Sequence, residues 1–200
     1  MTAKDKSRTT KGERTRQKLL SAAELEFGGK GFHATSVSSI TARARIAQGT
    51  FYFYFRGKEE LFTTLVREIG TSLRKRMGEA VTGQSGRMAA ERSGLRAFLR
   101  FAAEHPGLYR IVQESQFVDE PVYREYYQRV ANGYARGLAA AADKGALRPG
   151  DAEVRAWAIM GIGHFLGLRF CLWQGGEPDE QVIDKVMDFI AHGMAPGAVS

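Results

Sequence analysis

The chain has 200 residues, of which 44% are hydrophobic and 26% charged, a composition typical of a globular protein with one or two domains. Its single cysteine, Cys171, excludes an internal disulfide and any multi-cysteine metal site, so we expect a cytoplasmic protein. We find no apolar stretch near the ~20 residues that a membrane-spanning helix needs. Residues 1–18 are polar and basic, without the apolar segment of a secretory signal.

Positive charge is concentrated at one end of the chain. The net charge is +7, and residues 1–60 contain twelve Lys and Arg against six Asp and Glu. Residues 61–200 are nearly balanced, with seventeen basic and sixteen acidic side chains. Such asymmetry is typical of a surface that contacts nucleic acid or an anionic membrane. Taken alone, the charge favours the simpler interpretation of a solvated face with a basic tail.

In chain order, residues 1–11 carry basic side chains without apolar partners, so we expect them to be disordered. Three helices are predicted next, over residues 12–27, 37–44 and 47–54. Gly28, Gly29 and Gly31 are predicted to end the first helix, and Thr35 or Ser36 to cap the second.

The remaining sequence also has helical periodicity. A long helix is predicted to begin at Lys58, with Leu61, Leu65 and Ile69 on its buried side. Further helices are predicted over residues 95–104, 108–116, 121–145, 151–174 and 179–194. The sequence therefore predicts an all-α fold with a helix-turn-helix domain over 12–57, a larger helical domain over 58–195, and disorder over 1–11 and 196–200.

Two of the short helices are separated only by the turn Arg45-Ile46, which is the layout of a helix-turn-helix. Apolar side chains have the spacing of its core: Val37, Ile40, Ala44, Ile46, Phe51 and Phe55. The outward positions carry Ser38, Arg43, Gln48, Thr50, Tyr52 and Tyr54. No Asp or Glu occurs between Lys30 and Lys58, as expected of a surface that approaches DNA phosphates.

The run Gly49-Thr50-Phe51-Tyr52-Phe53-Tyr54-Phe55, followed by Lys58-Glu59-Glu60-Leu61, resembles the TetR family of bacterial regulators. The resemblance extends without a gap over about Arg14 to Leu65, and the remainder matches only in helix count and length. It implies a homodimer that binds a double-stranded DNA operator and responds to a small-molecule effector.

The resemblance also assigns candidate DNA contacts within the segment from Thr35 to Lys58. Gln48 and Thr50 fall on base-reading positions, and Ser38 on a phosphate or base contact. The expected phosphate or sugar contacts are Tyr52, Tyr54 and Lys58. Thr35 is a further candidate DNA contact, and Arg45, although outside the family pattern, is expected to reach a phosphate. The turn departs from the family pattern, because Arg45 stands where many members have Gly and would need a left-handed backbone costing ~1 kcal/mol or more. Ala47 likewise replaces a frequent Ser, which removes a side-chain N-cap.

The resemblance further implies that the later helices form an effector pocket and a dimer interface. Aromatic and polar candidates for the pocket are Phe98, Phe101, Tyr109, Phe117, Tyr123, Tyr127, Tyr134, Trp157 and His164. Each of them would equally suit a helical core. The candidates for the dimer interface are Met160, Gly163, Gly167, Val186, Phe189 and Ile190, since glycines inside a helix indicate close packing.

The sequence leaves the identity of the effector open. Flat cationic compounds would need acids near the aromatics, for which Glu104, Glu114 and Glu125 are candidates. Acyl-CoA or another anion would need Arg96, Arg100 or Arg110. The four scattered His and the lack of a nucleophile constellation give no catalytic or metal site and no cofactor, so we expect no enzyme. The alternatives are a helical carrier or enzyme with an incidental basic end, an activator, or a nonspecific nucleoid binder.

Overall fold

The computed structural model describes residues 10–194, and this part of the chain contains helices and no strand, which confirms the all-α fold. The α-helices are α1 (Lys11–Ala34), α2 (Val37–Ala44), α3 (Gln48–Phe51), α4 (Lys58–Val81), α5 (Arg87–Glu104), α6 (Pro106–Val118), α7 (Glu120–Asp143), α8 (Ala152–Leu166) and α9 (Glu180–Met194). A π-helical segment, Gly167–Trp173, continues α8. The disorder expected over 1–9 and 196–200 lies outside the described residues, whereas Thr10 caps α1 by accepting the Glu13 amide.

Helix α1 is longer than predicted, since it passes through Gly28 and Gly29 and only kinks at Gly31, where φ is 80° and ψ 169°. The prediction that it ends at residue 27 was wrong. Gly28 packs directly on the backbone of α6, where a Cβ on Gly28 would lie 2.8 Å from Cα of Gly107. The glycine therefore allows two helices to cross closely, and it does not end α1.

The turn of the helix-turn-helix has the predicted backbone. Ser36 caps α2 in a reciprocal pair: its Oγ accepts the Ser39 amide at 3.0 Å, and Ser39 Oγ accepts the Ser36 amide at 3.2 Å. Arg45 ends α2 at φ 56° and ψ 47°, and among the described residues it is the one non-glycine with positive φ. Ala47 provides no side-chain cap for α3, as predicted.

Helix α3 itself ends at Phe51, earlier than predicted, and Tyr52 to Tyr54 form turns that lead to Phe55. The amide of Phe53 donates to the Thr50 carbonyl and that of Tyr54 to the Phe51 carbonyl, so the chain tightens beyond Phe51. This tightening brings Phe55 to the core, where it is buried with Phe51.

One continuous core joins the helix-turn-helix to the helices that follow. Ile40, Phe51 and Phe55 are buried as predicted, and Val37, Ala44 and Ile46 pack against them partly buried. The same cluster contains the predicted buried side of α4 and extends to Val112 of α6 and Val122 of α7. A second cluster is formed by α5, α7, α8, the π-helical segment and α9. Side chains from before and after the predicted domain boundary at residue 57 therefore pack together in the same core.

The span Ala152–Trp173 is apolar and little buried. By length and composition it could cross a membrane, which corrects the expectation that no stretch of the chain comes near that length. Core helices of soluble proteins reach the same length and apolar composition. Its exposed apolar side chains are Val154, Trp157, Phe165 and Trp173.

Candidate nucleic-acid interface and cavity

The outward surface of α2 and α3 carries polar side chains and no acid. Ser38 and Gln48 are exposed and Thr50 is half-buried. Tyr52 is 55% exposed and follows them at the end of α3. Phe53 is 86% exposed beside Tyr52 and was missed as a candidate contact. Its position midway between the core residues Phe51 and Phe55 was the signal for an outward side chain.

Thr35 and Lys58 form part of the protein's internal packing. The Thr35 side chain is buried, and its hydroxyl donates to the Gly31 carbonyl at 2.7 Å, so its selection as a DNA contact needs correction. Lys58 Nζ donates to the carbonyls of Phe32 and Thr35, both at 3.0 Å, and lies 4.3 Å from the centre of the Phe32 ring. The ammonium has three N–H groups, so one remains for an external partner.

Arg43, predicted at an outward position, forms an ion pair. Its Nε donates to Glu26 Oε1 at 2.5 Å, and Lys30 Nζ donates to Glu26 Oε2 at 2.8 Å. The hydrogen bonds from Lys30 and then Arg43 lower the pKa of Glu26 to about 2, against the opposing effect of burial. The carboxylate behind the acid-free surface is therefore paired, and it fastens α2 to α1.

Tyr54 and Arg45, the remaining two candidate DNA contacts, differ in how far their side chains are buried. Tyr54 is half-buried against the core, and its hydroxyl comes close to Gly12, where a Cβ would lie 3.6 Å away. Arg45 is exposed at the turn. Arg45 is therefore free to reach a phosphate, whereas Tyr54 can offer only its outer edge.

A cavity of about 380 Å³ lies between α7 and α8. It is lined by Tyr123, Arg124, Tyr127, Gln128, Trp157, Met160, Gly161 and His164. Four of the predicted pocket residues are thereby brought together, namely Tyr123, Tyr127, Trp157 and His164. Met160, which was predicted at the dimer interface, also lines this cavity.

His164 is joined to α6 and α7 by tyrosine hydroxyls. The Tyr109 hydroxyl donates to the His164 carbonyl at 2.8 Å and lies 3.0 Å from Nδ1 of the same ring. The Tyr127 hydroxyl lies 3.4 Å from that Nδ1. Burial lowers the pKa of His164 and raises the pKa of Tyr109 and of Tyr127, so all three side chains are neutral near pH 7.

The other predicted pocket residues lie elsewhere. Phe101 is buried in the first core with Arg76 over its ring, and Phe117 is 82% exposed. Tyr134 hydrogen-bonds to Glu91. Phe98 and Tyr109 do not line the cavity and pack around Gly167. A helical period alone did not separate these positions from the ones that face the cavity.

None of the charged residues proposed for effector binding lines this cavity. Glu104 pairs with Arg76, Glu125 pairs with Arg67 and Arg129, and Glu114 accepts the Phe32 amide. Arg96 and Arg100 pair with Glu180 and Glu177, and Arg110 is exposed away from the lining. The cation that does line the cavity is Arg124, whose Nε donates to Glu120 at 2.8 Å.

The glycines selected for a dimer interface pack within the chain. A Cβ on Gly163 would lie 3.5 Å from Phe98, and one on Gly167 would lie 3.3 Å from it. Ile190 is 4% exposed in the second core, Val186 is half-buried, and Phe189 is 71% exposed. Close packing at the glycines was correctly predicted, but its partner is α5 of the same chain. Phe189 is the one of the six that presents a large apolar surface.

Within residues 10–194, no group of three or more His, Cys, Asp or Glu side chains could hold a metal ion.

Comparison with known proteins agrees with this geometry. Residues 19–65 match the family model described as bacterial regulatory proteins, tetR family. The uncharacterized HTH-type transcriptional regulator YdgC of Bacillus subtilis is 41% identical over 66 residues, which are 33% of this chain and 34% of that protein. YhgD of the same organism, also an uncharacterized HTH-type transcriptional regulator, is 24% identical over 88% of this chain and 95% of its own length.

Among solved structures, a putative TetR-family transcriptional regulator from Syntrophomonas wolfei superposes with a TM-score of 0.77 at 21% identity, over 90% of this chain and 94% of its own. This likeness shows that the shared fold includes the helices after the helix-turn-helix. Residues 19–65 are thus a helix-turn-helix segment of the kind described for the TetR family of bacterial regulatory proteins.

Proposed function

We propose that the protein is a homodimeric repressor that binds a near-palindromic operator and is released from it by a small molecule. It would act in the cytoplasm, where its operator lies. The observation that carries the proposal is the acid-free, outward surface of α2 and α3, with Gln48 exposed at the start of α3. In a helix-turn-helix this end of the second helix meets base edges in the major groove.

Base reading is assigned to α3. The Gln48 amide can pair with adenine through two hydrogen bonds, and the Thr50 methyl can contact the thymine methyl. Ser38, Arg45 and Tyr52 are assigned to the phosphates, with Phe53 packing against the sugar edge beside them. Phosphate contacts fix position and base contacts fix sequence. Substitution of Gln48 should therefore change which DNA is bound, and substitution of Arg45 should change how tightly any DNA is bound.

The dimer is assigned to the exposed apolar face of the span 152–173 together with Phe189 of α9. Val154, Trp157 and Phe165 follow each other at helical spacing, and all are at least 41% exposed. A second copy would remove this surface from water. A twofold dimer would also place two α3 helices about 34–36 Å apart, one turn of DNA.

Effector binding is assigned to the cavity between α7 and α8, and the route to the DNA surface is assigned to α6. His164 at the cavity contacts Tyr109 of α6. Five residues further along α6, both carboxylate oxygens of Glu114 accept the Phe32 amide, at 2.8 and 2.9 Å. The Phe32 carbonyl in turn accepts Lys58 Nζ at the start of α4. Movement of α6 would therefore act on the kink of α1 and on α4 together, as a coupling between two sites requires.

The proposal is tested by a gel shift with DNA from the protein's own promoter, at moderate salt and without added ligand. We expect a discrete complex that competitor DNA of unrelated sequence does not displace. Absence of binding, or coating of all DNA at equal affinity, would contradict a specific regulator. In a promoter fusion, higher expression in the presence of the protein would contradict the repressor role.

A further inference from the structure

We infer that the cavity between α7 and α8 binds a flat, uncharged aromatic compound that donates a hydrogen bond, from a hydroxyl or a ring N–H, to Nε2 of His164. The inference rests on the proposed function in taking this cavity as the effector site, and it adds the chemical class of the effector.

The hydroxyl network around His164 favours the tautomer that carries its proton on Nδ1. Tyr109 has a single hydroxyl proton, and it is donated to the His164 carbonyl 2.8 Å away. With that proton in use, we assign the contact of 3.0 Å between Tyr109 Oη and Nδ1 as a hydrogen bond donated by Nδ1–H. A neutral imidazole with its proton on Nδ1 has a lone pair on Nε2. Hydrogen-bond donors are therefore attracted to Nε2, and acceptors are repelled.

The lone pair is available to a ligand. His164 lines the cavity, and Nε2 has no hydrogen-bond partner among the described residues. The other titratable groups around the ring are Tyr109 of α6, Tyr123, Arg124 and Tyr127 of α7, and Tyr126 behind them. None is a carboxylic acid, and burial lowers the pKa of His164, so the ring stays neutral at pH 7.

The residues that line the cavity favour a ligand of a particular shape and charge. Tyr123, Tyr127 and Trp157 offer aromatic faces, and a cavity of about 380 Å³ is near the lower end of the range for small-molecule sites, which suits a compound of two fused rings. No carboxylate lines the cavity, so an ammonium would lack a counter-charge. Arg124 is 77% exposed beside Glu120, so solvent and that carboxylate both reduce what an anion gains from it. These features together favour a neutral ring system.

Three probes of nearly equal shape test the inference by calorimetry on the full-length protein without DNA. Indole has a ring N–H, benzofuran has an oxygen in its place, and tryptamine is an indole with an added ammonium. We expect indole to bind about 3- to 10-fold more tightly than benzofuran, as one net hydrogen bond provides. Tryptamine should bind more weakly than indole. Equal affinity for indole and benzofuran, no binding of indole, or tighter binding of tryptamine would overturn the inference.

Substitutions test whether His164 is responsible for the difference in affinity between indole and benzofuran. His164→Phe keeps a ring but removes the acceptor, so indole and benzofuran should then bind equally, whereas the matched His192→Phe on exposed α9 should retain the difference. Tyr109→Phe provides a second variant: it frees Nδ1, and imidazole ¹⁵N shifts should then report a mixture of tautomers in place of Nδ1–H alone. Discrimination that persists in His164→Phe, or an Nε2–H tautomer in the unsubstituted protein, would overturn the assignment.

The experiments distinguish a failure of the proposed ligand class from a failure of the proposed regulator function. If indole binds as expected but leaves the DNA complex of the gel shift intact, the chemistry of the cavity stands and release by ligand fails. If the protein binds DNA but no probe is discriminated, the regulator stands and the ligand class fails.

Discussion

At the scale of single residues, the turn of the helix-turn-helix combines backbone strain with an exposed cation. Arg45 has a left-handed backbone that costs a side-chain-bearing residue about 1–2 kcal/mol. The strain is retained at the end of α2, where the side chain is exposed beside the proposed DNA surface. This combination is expected of a residue that is kept for a contact and not for stability.

Replacement of Arg45 should separate those two effects. Arg45→Gly should raise the stability by up to ~1 kcal/mol, because glycine adopts the left-handed region freely, and should lower the affinity for all DNA sequences alike. Arg45→Lys is the matched control, since it keeps both the charge and the strain. Urea unfolding and fluorescence anisotropy at two salt concentrations measure the two effects. A glycine variant that loses stability, or keeps full affinity and salt dependence, would argue against this role.

Glu26 should make the stability of the DNA-binding domain depend on acid pH. Its pKa of about 2 lies below the ordinary value of 4.5, so the ionised carboxylate stabilises the fold above pH 4.5, and this contribution is lost as the pH falls from 4.5 towards 2. The contribution is on the order of 2 kcal/mol, after allowing for the half-exposed Lys30 and Arg43. Glu26→Gln should be less stable at pH 7 and should flatten the decline between pH 4.5 and 3. Urea unfolding across that range tests it, with the exposed Glu79→Gln as control; an unchanged decline in Glu26→Gln would refute the pairing.

At the scale of helices, α6 is the element that connects the cavity to the DNA-binding helices. It crosses α1 where Gly28 meets Gly107, contacts His164 through Tyr109, and holds the kink of α1 through Glu114. The kink matters because the Phe32 amide at that point has a carboxylate as its acceptor in place of a helical carbonyl.

Removal of the Glu114 carboxylate should loosen that connection. Glu114→Ala leaves the Phe32 amide without its acceptor and should cost about 1–3 kcal/mol, with faster hydrogen exchange at Phe32 and weaker DNA binding. Glu114→Gln retains one acceptor oxygen and should be intermediate. Exchange measured by NMR checks the site directly, and Glu104→Ala, which removes an exposed ion pair with Arg76, serves as the control. Unaltered exchange at Phe32 in Glu114→Ala would show that α6 does not hold the kink.

The helices also show which features of the fold and of the candidate site could be predicted from the sequence. The core of the helix-turn-helix, the buried side of α4 and the left-handed Arg45 were predictable because each depends on local spacing or backbone chemistry. The continuation of α1 through Gly28 was not, because it depends on contact with Gly107, 79 positions away. The roles of Thr35, Gly163 and Gly167 were missed for a related reason. A sequence indicates that a residue is buried or closely packed, but not whether its partner is DNA, a second copy or another helix of the same chain.

At the scale of the whole molecule, the span 152–173 leaves large apolar side chains without a partner in the described part of the chain. Exposed apolar area of this extent favours association. Trp157 lies at this face and also lines the cavity. Formation of a dimer would therefore also change the surroundings of the proposed effector site.

The dimer face is tested by placing a charge on it. Phe165→Arg should convert the dimer into a monomer in sedimentation experiments, because Phe165 is 69% exposed in the middle of the face and an unpaired guanidinium is costly to bury. Phe117→Arg on α6, where Phe117 is 82% exposed, should leave the dimer intact. A dimer that survives Phe165→Arg, or one lost equally in both variants, would place the interface elsewhere.

In the proposed dimer, the two copies of α3 each read one half-site, and the two half-sites lie one turn of DNA apart. Hydroxyl-radical footprinting on DNA selected from a random library, with the unsubstituted protein and Gln48→Ala, tests it directly. We predict two protected half-sites of inverted sequence, centred about 10 base pairs or a multiple of that apart. Gln48→Ala should relax the preference at one base pair in each half-site, by about 1–3 kcal/mol, while exposed Gln181→Ala changes nothing. A single unrepeated site, uniform protection, or unaltered base preference in Gln48→Ala would contradict it.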